Sequence, residues 1–187
     1  MSLSVVPQTM PTLPGFDAAA LKRAVKHHHR WHPIVWVEEL RTRCGANARD
    51  ARYIDMWGIR PNTKQGNTAY AYEIKVSRGD FLRDMKQSKK QDGARALSNE
   101  FWFVAPPGTL KREDIPDWAG LMEPRPWSDF GKLTWQYWDR DPRLAVVKQA
   151  PVTEKIEPTW PFVVSLLRRE RDGFVSIAEA NTEGVQQ

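Results

Sequence analysis

Tyr70-Ala71-Tyr72-Glu73-Ile74-Lys75-Val76-Ser77 is the stretch on which the fold of this chain turns. Aromatic and β-branched residues are frequent in it, as in a strand. Alternate side chains of a strand share a face. Ala71, Glu73, Lys75 and Ser77 therefore point one way, and Tyr72, Ile74 and Val76 the other. The second set is uniformly apolar and is expected to face the core. The first sets a carboxylate and an amine about 7 Å apart along one face. A Glu-x-Lys pair is also what an exposed cross-strand ion pair looks like, so its surroundings decide its meaning.

Upstream, Arg52 to Arg60 has the same strand character, and Pro61 to Asn67 between the two is rich in turn formers. The pair reads as an antiparallel hairpin with a loose loop. Ile54 and Met56 are expected inward, which leaves Tyr53, Asp55 and Trp57 on the opposite face and brings Asp55 beside Glu73. Two carboxylates at one point repel, and a hard cation between them is the simplest justification. Magnesium takes oxygen ligands, keeps several waters, and uses one or two carboxylates plus substrate phosphate. It would polarise a scissile phosphate and acidify a bound water. Lys75 could orient that water or offset charge developing on the phosphate.

On the downstream side, Ser77 with Asp80 three residues on is a variant of a helix-start box. Phe81, Leu82 and Met85 give that helix an apolar face, and it is expected to run to about Leu97 despite Gly93. Phe101 to Ala105 is a short apolar run stopped by Pro106, Pro107 and Gly108, which suits a buried strand. Before the hairpin, Pro33 stands where a helix can begin, and Ile34 to Arg43 continues it with Val35, Val37 and Leu40 apolar and Gly45 as its end. Residues 33–105 thus read as helix, hairpin, helix, strand.

Farther out the signals weaken. Asp17 can cap a short helix through Lys26. Lys111 to Asp114 reads as a helical turn, Gly120 to Glu123 and Thr134 to Trp138 as short strands. Pro161 to Arg169 reads as a terminal helix with Phe162, Val163, Leu166 and Leu167 inward. The domain plan is a flexible arm over 1–16, a core over 17–125, an extension packed on it over 126–170, and a polar tail over 171–187.

The bulk composition is compatible with one folded core: 187 residues, 41% of them hydrophobic and 27% charged. Lys and Arg number 28 against 23 Asp and Glu, a formal charge of +5, which favours polyanionic partners but also fits a basic solvated surface. Cys44 is the only cysteine, so no internal disulfide can form. There is no apolar run of the ~20 residues a bilayer requires and no secretory start. A cytoplasmic protein without a membrane partner is expected.

Asp55 followed by Glu73-x-Lys75 resembles the PD-(D/E)XK signature of restriction-like nucleases. The longer string Tyr72-Glu73-Ile74-Lys75-Val76-Ser77-Arg78-Gly79-Asp80-Phe81-Leu82, with Lys86 beyond, is more particular. With Asn99-Glu100-Phe101-Trp102-Phe103-Val104-Ala105-Pro106-Pro107 and Ile115-Pro116-Asp117-Trp118-Ala119-Gly120-Leu121, it resembles the MmcB-like DNA-repair branch and its phage-borne relatives. The resemblance spans roughly residues 30–125. It implies an α/β fold with a restriction-endonuclease-like αβββαβ core, a mixed central sheet flanked by helices, a divalent cation (magnesium, with manganese as substitute) and DNA as partner. It also implies an acidic metal ligand on the first helix, for which Glu39 is the choice and Glu38 the fallback. Residue 54, before the aspartate, is Ile where the family name has Pro.

The expected function is therefore a magnesium-dependent deoxyribonuclease of DNA repair or processing. Asp55, Glu73 and Lys75 are its catalytic residues, and Asp55, Glu73 and Glu39 its metal ligands. Arg78, Lys86, Lys89 and Lys90 are expected to follow the DNA backbone from the helix beside the site. The alternative is a DNA-binding accessory module that keeps the fold and does not cut; whether the chain forms a homodimer stays open. His27 to His29 with His32 lack cysteine partners and read as a polar, protonatable surface sooner than as a zinc site. Trp127, Trp135 and Trp138 with Tyr137 are read as packing residues that could also stack on unpaired bases.

Overall fold

The computed structural model describes residues 13–42, 52–61, 64, 66–87, 89–129 and 132–169. Its centre is a six-stranded mixed sheet in the order β1-β2-β3-β4-β5-β8. The strands are β1 Val35–Arg41, β2 Tyr53–Arg60, β3 Thr68–Ile74, β4 Glu100–Val104, β5 Gly120–Pro124 and β8 Leu144–Lys148. A separate two-stranded ribbon pairs β6 Trp127–Asp129 with β7 Lys132–Thr134. β2 runs antiparallel to both β1 and β3; β3, β4 and β5 run parallel, and β8 closes the far edge antiparallel to β5.

Helix α1, Ala18–His28, is capped by the Asp17 side chain and covers one face of the sheet through Leu21, Ala24 and Val25. α2, Arg78–Met85, and α3, Asp92–Ala96, cover the other face, joined there by α4 at residues 160–169. The succession is α1, three strands, α2 and α3, then β4, which is the αβββαβ order. Buried apolar clusters lie on both faces, so the sheet has no solvent side to receive a polar stripe.

Several expectations are corrected here. Ile34 to Arg43 is not a helix: β1 occupies Val35–Arg41. Glu39 takes φ 51, in the left-handed region, and this turns Leu40 onto the face that Val37 already uses. The resulting i, i+3 spacing imitates a helix inside a strand. The partner strand does the same thing. Ile54 and Trp57 belong to one cluster and Met56 to the other, so Ile54 and Met56 do not share a face. The ladder pairs Glu38 with Met56 and Leu40 with Ile54, which leaves Glu39 across from Asp55 at the level where the pleat breaks.

The helix begun at Ser77 ends at Met85 and does not reach Leu97. Lys86-Gln87-Ser88-Lys89-Lys90-Gln91 contains no apolar residue to hold a helix on the sheet, and packing resumes only at Ala94 and Leu97. Leu82 is exposed, as are Val76 just past β3 and Leu167 on α4, where inward positions were expected. Trp135 to Trp138 forms turns, not a strand, and both tryptophans pack on Phe16. Segment 126–169 does more than rest on the core, because β8 is part of the main sheet and Phe162 is in its interior. Most of the expected arm and all of the tail lie outside the described residues, as do Gly45 and Cys44.

Gly58 shows how tight the β1–β2 contact is. A Cβ there would meet the Trp36 ring at 2.5 Å and Ile34 at 2.8 Å. Gly58→Ala is expected to destabilise the fold by about 1–3 kcal/mol through overpacking, read as a lower urea midpoint with unchanged slope.

Candidate active site

The β2–β3 ladder runs from Arg60 opposite Thr68 to Met56 opposite Tyr72. One step further along the same register, Asp55 stands across from Glu73. The backbone pairing has ended there, and the side chain replaces it: Asp55 Oδ2 accepts the Ile74 N–H at 2.7 Å. The pleat break at Asp55 is what lets its carboxyl reach along the strand end in this way.

Glu73 lies on the helix-covered face after Ala71 and is 5% exposed. Lys75 follows β3, donates its N–H to the Val104 carbonyl, and is 6% exposed. Its Nζ meets Glu73 Oε2 at 3.0 Å and Asp84 Oδ2 at 2.6 Å. Burial of this depth rules out an exposed cross-strand ion pair. Asp84, also buried, comes from α2 and takes Lys90 on its other oxygen, Oδ1, at 2.6 Å. The result is a buried relay of alternating charge, Glu73–Lys75–Asp84–Lys90.

The electrostatics follow from burial and neighbours. Desolvation, and then the adjacent Asp55, push the Glu73 carboxyl up to about 7. Asp55 is also raised by burial, although the Ile74 N–H and Lys75 oppose that rise. Burial pulls Lys75 down, but Glu73 and Asp84 outweigh it and leave the ammonium above its ordinary value. Burial likewise works against ionised Asp84, and hydrogen bonds from Lys75 and Lys90 hold it below the usual carboxylate range. Each partner thus keeps the next one charged, except where two carboxylates meet.

Not every expected residue joins this group. Glu39 shares Asp55's level of the sheet, but its carboxylate pairs with Lys22 of α1. Glu38, the fallback, is held by Lys26 at 2.7 Å and by Lys22 at 3.4 Å. Both lie on β1 and not on a helix, and α1 itself contains no acidic residue. Among the described residues no group of three His, Cys, Asp or Glu side chains is close enough to hold a metal. A two-carboxylate donor set does fit magnesium. Asp55 Oδ1 and Glu73 Oε1 form no hydrogen bond among the described residues, and they are the hard anionic oxygens that such a cation takes.

Of the expected DNA-contacting residues, Lys86 and Lys89 are exposed in the turn after α2, with no acidic partner among the described residues. Lys90 is turned inward to Asp84, and Arg78 is paired with Asp114. Asp84 was missed by sequence reasoning. Its signal was its place three residues after Phe81, on the inward stripe of α2, where a carboxylate needs a partner. The histidines form no metal site: His29 Nε2 meets the Tyr72 hydroxyl at 2.6 Å, and burial lowers its pKa to about 4. His27 pairs with Asp141 at 2.9 Å. Trp138 is buried, Trp135 packs on it, and Arg143 covers Trp127, so these tryptophans serve packing, the first of the two roles read for them.

No family model matches the sequence, and no curated protein matches it. A solved structure is similar: the SPO1766 protein of unknown function from Silicibacter pomeroyi, at TM-score 0.54 and 21% identity, over 85% of this chain and 92% of that one. The likeness is one of fold. No helix among the described residues is long and apolar enough to cross a membrane.

Glu73 gives the site a pH dependence with a definite sign. Its folded pKa of about 7 exceeds the ordinary 4.5, so the folded chain binds the extra proton between those values. The stability Glu73 contributes is complete below 4.5 and is lost as pH rises through about 7. In metal-free buffer the melting temperature should fall across that window, and Glu73→Gln should flatten the fall. Asp84 has the opposite sign and acts only in more acidic solution. Equal pH profiles for the two proteins would mean that Glu73 ionises freely.

Proposed function

We propose that this chain is a divalent-cation-dependent nuclease of the PD-(D/E)XK type that hydrolyses DNA phosphodiester bonds inside the cell, in repair or processing of DNA. The observation that carries the reading is half-buried Asp55 beside buried Glu73, with Lys75 hydrogen-bonded to Glu73. A fold seldom keeps two carboxylates side by side, one of them buried, without a cation to neutralise them. With all groups ionised, Asp55, Glu73 and Asp84 against Lys75 and Lys90 leave one net negative charge. A divalent cation reverses that sign and makes the site attractive to a phosphodiester.

Asp55 Oδ1 and Glu73 Oε1 would hold the metal, which when bound supplies a Lewis acid and an acidified water. Lys75 is held protonated and so acts as a donor and a positive charge, not as a base. Exposed Lys86 and Lys89 beside the site supply contacts to the backbone of the nucleic acid.

Incubation of circular single- and double-stranded DNA with magnesium or with EDTA tests the reading directly. Nicking or degradation in magnesium alone is expected, and Asp55→Asn and Glu73→Gln should each abolish it. Magnesium should raise the wild-type melting temperature by mass action and should do so less for either variant. Equal magnesium shifts in all three proteins would remove the metal from this pair. DNA binding without cleavage in any metal would favour the accessory module instead.

The same reading sets the salt dependence. Affinity for a short duplex should fall steeply with salt, and Lys86→Ala should flatten the slope by about one unit. Lys90→Ala should flatten it less, because that ammonium is already on Asp84.

A further inference from the structure

We infer that Asp84 is a positioning residue that holds the Lys75 ammonium in place for the reacting phosphate. The inference rests on the nuclease reading above and assigns a role that the Asp-Glu-Lys pattern does not contain.

Three observations support it. Asp84 is fixed at two points, with Oδ2 on Lys75 and Oδ1 on Lys90, each at 2.6 Å, so its carboxylate cannot turn away. The contact of Lys75 with Asp84 is shorter than its 3.0 Å contact with Glu73. If Glu73 turns its charge toward a cation, Lys75 keeps a full counter-ion on α2. Lastly, an ammonium has three N–H donors, and only two of those on Lys75 are used among the described residues. The third is available to a phosphate oxygen.

The elements explain why a helix residue does this work. Ser77 caps α2 two residues after Lys75, which fixes the helix start relative to the end of β3. Phe81, one turn in, is 1% exposed and packs edge-on against Phe103 of β4 at 5.1 Å. Asp84 lies three residues beyond Phe81 on the same stripe, so that aromatic contact sets the depth at which its carboxylate meets Lys75. A lysine stem is long and flexible. Without Asp84 the ammonium retains Glu73 as its one hydrogen-bond partner among the described residues, and it is drawn toward the place the cation needs.

A simple structural tie between α2 and β3 would have the same contacts, and the experiment must separate the two. Asp84→Asn and Asp84→Glu are made in the full chain and checked by melting, since loss of one member of a buried pair strongly destabilises. Turnover of a DNA substrate is measured over a range of substrate concentrations in magnesium. Lys75 accessibility is measured by reductive methylation and mass spectrometry, with and without magnesium.

For Asp84→Asn, kcat is expected to fall about tenfold or more at nearly unchanged KM. Asp84→Glu should recover much of that loss, and Lys75 should methylate faster in Asp84→Asn than in wild type when magnesium is present. If Asp84→Asn does not fold, Lys90→Met, which frees Oδ1, takes its place and is expected to lose kcat and not KM. Wild-type kcat in Asp84→Asn, or in Lys90→Met where that takes its place, overturns the inference, as does a loss confined to KM or one matching the unfolded fraction alone. Failure of wild type to cut DNA in any divalent metal removes the nuclease reading and this inference with it. Cutting by wild type with no effect at Asp84 removes this inference only.

Discussion

Repulsion between Asp55 and Glu73 is the constraint to which the rest of the site responds. Burial raises both carboxyls, and the Asp55 charge makes ionisation of Glu73 harder still. The donors nearby are arranged to contain that cost without removing it. Ile74 gives its N–H to Asp55, and Lys75 gives one hydrogen bond to Glu73. Lys75 does not neutralise the pair, because it is shared with Asp84, and Asp84 is shared in turn with Lys90. The charges of β1 are handled apart, with Glu38 and Glu39 paired to lysines of α1. What remains uncompensated is local, and it is negative.

The backbone makes this arrangement possible by breaking its own regularity at one level. In a regular antiparallel ladder Asp55 would point squarely into one of the two apolar clusters. Instead the alternation fails at Glu39 and Asp55 together, and Leu40 and Ile54 take up the packing on the face that Val37 and Trp57 already occupy. The core stays filled, and the two acidic side chains are released from it. A positive φ at a non-glycine residue costs on the order of 1–3 kcal/mol and persists only where its surroundings impose it. At Glu39 those surroundings are the paired residues on either side and Lys22 on its carboxylate.

That same break explains what could and could not be read from the sequence. The hairpin, the Ser77 cap and the Phe101–Ala105 strand were legible because their signals are local: alternation, a capping hydroxyl, an apolar run ended by proline. β1 was not legible, because a strand containing a left-handed residue acquires the i, i+3 spacing of a helix. The two-sided burial of the sheet was hidden for a related reason. Glu73 and Lys75 look like an exposed stripe until α2 is placed over them. Asp84 carries no motif of its own, and only its distance from Phe81 along the helix places it inward. β8 is only a short apolar run, Leu144 to Val147 before Lys148, and its place depends on β5, some twenty residues earlier.

Position in the sheet gives the group its chemical opening. Glu73, Ile74 and Lys75 are at the carboxyl end of β3, where β3 and β4 run parallel and the chain leaves for α2. In open α/β sheets the carboxyl ends of parallel strands border the crevice in which ligands bind, because the crossover helices start there and leave space between them. Antiparallel β2 meets that end from the other side and delivers Asp55 to it. The two carboxylates therefore come from strands of opposite direction. In this mixed sheet β2 supplies one acid, β3 the other acid, the chain just past β3 the amine, and α2 the counter-ion that keeps the amine charged.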